Sequence, residues 1–155
     1  MMAPGEVQYA TPSAARSKAA VIFMIASRLV LGAIFLYAAY VKLKAPWQLF
    51  AMSIDSYQVL PLGMAEMAAH VIPWLELALG LLLIVGIGLR ISGTITALIL
   101  GTFFALMLRA YFKGMQIDCG CFGPGETISW KTLLRDGSMV ADAVAMTWLA
   151  FLQKR

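Results

Sequence analysis

The chain has 155 residues, 61% of them hydrophobic, with 12 basic and 8 acidic side chains and a formal charge of +4. That is more apolar surface than a soluble domain of this size can bury, so the composition points to a bilayer. A spanning helix takes about 20 apolar residues, which leaves room for four crossings and none for a soluble catalytic domain. The basic residues sit at segment ends, which fits membrane anchoring and argues against a nucleic-acid-binding face.

Residues 1–18 are polar and contain Pro4, Gly5, Pro12 and Ser13, and read as a flexible tail ahead of a single membrane domain over 19–155. The first span is expected over about 19–41, closed by Lys42 and Lys44. It is too long for the core of a signal peptide and should be retained. Arg28 lies inside it and must snorkel or find a carboxylate, for which Glu76 of the next span is the expected partner. After Pro46, Trp47, Phe50 and Ile54 recur at helical spacing in a segment too short to cross, as in an interfacial amphipathic helix.

The second span is expected over about 64–88, with Pro73 inside it as a source of a kink. Glu66, His70 and Trp74 form one stripe, and Glu76 lies deeper. A tight connection leads to a third span over about 91–112, where Gly93, Ala97, Gly101 and Ala105 recur every fourth residue and let a neighbouring helix come close. Arg109 and Lys113 close its end. The loop 113–131 precedes a fourth span over about 132–151, whose first half is interrupted by Arg135, Asp136 and Asp142. The expected fold is an all-α membrane protein, a four-transmembrane antiparallel helix bundle with a short interfacial helix between spans 1 and 2.

Both cysteines lie in Asp118-Cys119-Gly120-Cys121-Phe122-Gly123, within that glycine-rich loop. Side by side on a turn outside the lipid, they read as a catalytic redox pair. Thiol exchange needs a thiolate that attacks a disulfide and a second thiol that resolves the mixed disulfide. Arg109, Lys113 and His70 are candidates to lower a thiol pKa, Asp118 opposes them, and which cysteine attacks is open. A structural bridge, or a metal site completed by His70 and Asp118, is the alternative; two sulfurs alone fall short of a closed zinc site. Arg28 and Glu76 form either a structural ion pair or a site that handles protons or a quinone. With one cysteine pair, the protein either passes electrons straight to a quinone or relays them between partners that supply further thiols, and the relay is favoured. The charge distribution does not fix orientation. A disulfide persists outside the cytosol, which favours termini inside and the cysteine loop in the periplasm.

Several pieces together resemble the methylamine-utilisation MauE family and, more loosely, the DoxX family of four-span membrane proteins. They are Arg28-Leu29-Val30-Leu31-Gly32 leading to Lys42-Leu43, Tyr57-Gln58-Val59-Leu60-Pro61, Ile72-Pro73-Trp74-Leu75-Glu76 with Gly80, and Cys119-Gly120-Cys121-Phe122-Gly123. The resemblance spans about residues 28–124 and implies a protein of the bacterial inner membrane. It would act beside an extracytoplasmic thioredoxin-like partner, in disulfide formation or maturation of an exported client enzyme. As an enzyme it would be a thiol-disulfide oxidoreductase; a quinone-linked subunit and a membrane assembly or chaperone subunit are the alternatives. Arg28, Glu76, Cys119 and Cys121 are the positions the resemblance carries over.

Overall fold

A computed structural model of the chain describes residues 12–123 and 125–152. Among the described residues there are five helices: α1 (Pro12–Lys44), α2 (Trp47–Ser56), α3 (Leu62–Val85), α4 (Leu89–Phe112) and α5 (Trp130–Leu152). α1 extends back to Pro12, into residues expected to belong to the tail; the rest of that tail, 1–11, lies outside the described residues. Lys18–Lys44, Gly63–Val85 and Leu89–Phe112 are long and apolar enough to cross a membrane. α5 is 23 residues long but carries Lys131, Arg135, Asp136 and Asp142.

Pro46 precedes α2 and Pro61 precedes α3, each with φ close to the value a helix start requires. α3 continues through Pro73. It ends at Gly86 and α4 begins after Gly88, both left-handed at φ 84° and 59°, so the connection turns within three residues.

The helices associate as two close pairs, α1 with α3 and α4 with α5, while α2 lies across α3. Three contacts give the register of the first pair: Arg28 Nη2 donates to Ile84 O at 3.0 Å, Gly32 faces Gly80, and Lys42 Nζ meets Glu76 Oε1 at 2.6 Å. At the glycine crossing, a Cβ on either residue would lie 3.0 Å from the other's carbonyl oxygen. This is the close approach that small residues permit in membranes, where apolar packing must replace a hydrophobic driving force. The stripe expected on α4 serves in part: a Cβ on Gly93 would meet Thr147 Oγ1 of α5 at 2.6 Å, whereas Gly101 faces open space.

Leu31, Leu83, Ala143 and Met146 form a core at one end of the helices, and Tyr57, Met107, Ala110 and Cys119 form another under the cysteine loop. The outer faces remain apolar, with Val30, Tyr37, Val71, Leu98 and Val144 all exposed, as helices surrounded by lipid tails require.

Gly80→Val should destabilise the protein by about 1–3 kcal/mol through overpacking, while Gly101→Ala should be neutral or stabilising, by up to about 1 kcal/mol. Thermal unfolding of the detergent-solubilised variants checks both, and equal midpoints would remove the glycine crossing as a determinant of packing.

Candidate functional site

The loop between α4 and α5 folds back on itself. Asp118 and Thr127 form an antiparallel bridge, Cys119 N donates to Glu126 O at 2.8 Å, and Ile128 N donates to Ile117 O at 3.1 Å. Gly125 N donates to Asp118 Oδ2 at 3.0 Å, closing the tip. Gly120, between the cysteines, has φ 73° and packs so close to α2 that a Cβ there would lie 3.2 Å from Ser53 Cβ. A side chain would suffer both the wrong backbone angle and a clash, so only glycine lets the two thiols turn in this way.

Tyr57, at the end of α2, donates its hydroxyl to Cys119 O at 2.9 Å. Its own carbonyl accepts from Arg109 Nη1 at 3.0 Å. Arg109 therefore acts on the loop through Tyr57, not on a sulfur. Burial pushes the Tyr57 phenol well above its ordinary value, so it stays a donor.

The two thiols are free and differ in access: Cys119 is 0% exposed and Cys121 is half-buried. The expectation of two sulfurs displayed together on the outside of a turn is corrected for Cys119. The loop packs inward because Met115, Ile117 and Ile128 join Tyr57 and Met107 in the core beneath it. Cys121 Sγ lies 3.8 Å from Cys119 O. The Cys121 hydrogen stabilises a Cys119 thiolate and holds that thiol below its ordinary value, outweighing burial and the nearby Glu126 carboxylate. The same bond, with burial, drives Cys121 far above its ordinary value. The pair thus favours one shared negative charge, centred on Cys119.

Glu126 Oε2 lies 3.4 Å from Cys119 Sγ, and Glu126 Oε1 accepts from Arg135 Nη1. That hydrogen bond holds Glu126 below the usual carboxylate range. Arg135 also binds the buried Asp136 through Nε at 2.8 Å and lies 4.6 Å from the Phe122 ring centroid. Neither Glu126 nor the coupling of Arg135 to the cysteines was legible from spacing. The only signal was an acidic residue five positions after Cys121 in a glycine-rich loop.

Glu76 pairs with Lys42, not with Arg28. The side chains of this ion pair are 2% and 8% exposed, and the Lys42 ammonium also sits 4.9 Å from the Phe50 ring centroid. Helical side chains lean toward the N-terminus of their helix. With Arg28 beside Ile84, that lean carries Lys42 and Glu76 toward each other and Arg28 away, so Arg28 Nη2 donates to Ile84 O and Val85 O while the buried Nε has no partner among the described residues. Glu76 Oε2 has no hydrogen-bond partner among the described residues, and Glu76 lines a cavity of about 40 Å³ together with Lys42, Cys121, Asp136, Phe103 and Phe104. His70 stands elsewhere: its ring is 4.5 Å from that of Trp47 and its Nδ1 is 2.9 Å from Glu66 O. Lys113 is exposed at the end of α4. Among the described residues no three His, Cys, Asp or Glu side chains gather as a metal site, so His70 and Asp118 do not complete one around the cysteines.

The family model described as methylamine utilisation protein MauE matches residues 20–149, which include α2, α3, α4, the cysteine loop and most of α1 and α5. The chain belongs to the MauE family. Comparison with curated proteins and with solved structures gives no match. Its three apolar helices make this MauE-family chain a multi-pass membrane protein with a bilayer as its surroundings.

Lys42→Met should destabilise the folded protein by about 3–5 kcal/mol by leaving a buried carboxylate alone, and Lys42→Met combined with Glu76→Leu should recover most of that loss. A double-mutant cycle on thermal stability in detergent measures it; additive losses would show that the two residues do not act as a pair.

Proposed function

We propose that this MauE-family protein is a membrane thiol-disulfide component in which Cys119 and Cys121 exchange electrons with an extracytoplasmic thioredoxin-like protein during maturation of an exported enzyme. The observation that carries the reading is the asymmetry of the pair: Cys121 is partly exposed, and Cys119, directly beside it, is fully buried. That is what attack and resolution by two successive thiols require. A structural bridge needs neither difference. The family's description, methylamine utilisation protein, supports a role for the chain itself in that process.

The reading takes α5 as a fourth crossing of an antiparallel bundle. Its length of about 34 Å at 1.5 Å per residue is sufficient. Its charges have inward partners: Asp142 accepts from Ser27 Oγ at 2.7 Å, and Arg135 is satisfied by Asp136 and Glu126. Four crossings put both ends of the chain on one side of the inner membrane and the cysteine loop, with α2, on the periplasmic side, where a disulfide persists.

A relay between proteins fits better than direct transfer to a quinone. The cavity beside Cys121, at about 40 Å³, holds water-sized occupants, whereas sites for ring-sized ligands run to about 300 Å³ or more.

Cys119→Ser should leave Cys121 unable to be released and accumulate a reductant-sensitive adduct with a thioredoxin-fold protein in membranes. Cys121→Ser should trap none, and the double serine variant should block client maturation. Absence of any adduct, with the double variant maturing its client normally, would leave an assembly subunit whose cysteines only shape the loop.

A further inference from the structure

Glu126 touches one reacting sulfur and water at once. Its Oε2 lies 3.4 Å from the fully buried Cys119 Sγ, and its side chain is 38% exposed. Its other oxygen is held by Arg135, which is itself braced by Asp136 and stacked on Phe122. We propose that Glu126 is the proton acceptor and donor for Cys119 in thiol exchange at this pair, and that Arg135 is its positioning residue. The inference rests on the redox reading of Cys119 and Cys121 given above.

The need for such a group follows from what happens to Cys121. In the free dithiol, the Cys121 hydrogen supports negative charge on Cys119. Once Cys121 is joined to a partner's sulfur it has no hydrogen to give, and that support is gone. Cys119 is then a buried thiol surrounded by groups that disfavour its charge or are already committed. Tyr57 from α2 gives its hydroxyl to the Cys119 carbonyl. Asp118 from the loop and Asp136 from α5 add negative charge around the Tyr57 and Cys121 side of the cluster, and Lys42 from α1 is bound to Glu76. Arg109 of α4 is bound to Tyr57 O. Of these groups, Glu126 is the one in contact with Cys119 Sγ that can take a proton.

The step balances as follows. The shared proton moves from Cys121 to Cys119, and the Cys121 thiolate so formed attacks a partner disulfide, forming the Cys121–partner bond and releasing the partner's other sulfur as a thiolate. Cys119 passes its proton to the Glu126 carboxylate and its sulfur attacks Cys121 Sγ. The Cys119–Cys121 bond forms, the Cys121–partner bond breaks, and the second partner thiolate leaves. The protein has lost two electrons and the partner disulfide has gained them; the Glu126 proton goes to water. In the reverse direction, a partner thiolate attacks Cys121 and the neutral Glu126 carboxyl returns a proton to the departing Cys119.

The test uses the full-length dithiol protein in detergent micelles, with glutathione disulfide as the probe and acid-quenched mass spectrometry to separate two phases: glutathionylation of Cys121, then ring closure. Glu126→Gln should leave the first phase nearly unchanged and slow closure by about a hundredfold at neutral pH, the scale of one general base. Glu126→Asp should restore part of the rate. Should Glu126→Gln fail to fold, Arg135→Gln provides the second reading: without the guanidinium the Glu126 carboxyl titrates at higher pH, so the acidic limb of the closure rate moves upward. Closure with wild-type rate and pH profile in Glu126→Gln, or an unmoved limb in Arg135→Gln, overturns the proposal. If wild-type protein forms no adduct at Cys121, the redox reading itself fails, and the role of Glu126 falls with it.

Discussion

The hydrogen bond from Tyr57 Oη to Cys119 O joins the short helix α2 to the cysteine loop, and the placement of the thiols depends on it. Tyr57 is 4% exposed, and its backbone is fixed in turn by Arg109 of α4. A loop of glycines has no preferred direction of its own. This contact, with the Ile117 to Ile128 backbone pairing, folds it down onto the helices instead of leaving it in water. Cys119 is buried as a result, and Cys121 is left half-buried, lining a cavity with Lys42 and Glu76.

The same region concentrates most of the ionisable groups that the membrane would otherwise penalise. Lys42 is paired with Glu76, and Arg135 with Glu126 and Asp136, which lowers the cost of charge near a bilayer. Neither the buried Lys42–Glu76 pair nor the partly exposed Arg135–Glu126 pair is a strong contributor to stability compared with apolar packing. In the proposed exchange, their position beneath the dithiol would set where negative charge rests. Phe122 links the two sets: it follows Cys121 directly, its ring lies under the Arg135 guanidinium and 6.1 Å from Tyr37 of α1.

Much of this architecture was legible in the residues. Long apolar runs gave the helices, and Trp47, Phe50 and Ile54 gave α2. The glycines around Cys119 and Cys121 gave a turn. Pairings across helices were not legible. The assignment of Arg28 to Glu76 compared heights along two helices and ignored the direction in which side chains lean, which is what brings Lys42 to Glu76. The contact between Gly32 and Gly80 was hidden because each helix contributes one glycine, with no repeat to mark it. The burial of Cys119 depends on Tyr57, 62 residues away in sequence, and on Met107 of α4. Glu126 acquires its meaning only from the bridge that brings 126–128 alongside 117–119.

The most direct test of a cycling thiol pair is its redox state in intact cells, read by rapid acid quenching and alkylation with a mass-tagged maleimide, with and without a membrane-impermeant reductant added outside. A population that carries no tag at first and two tags after external reduction is the expected result. Two tags before any reductant is added, unchanged by it, would mean that the sulfurs stay reduced throughout, and would contradict a pair that cycles on the outer face of the membrane.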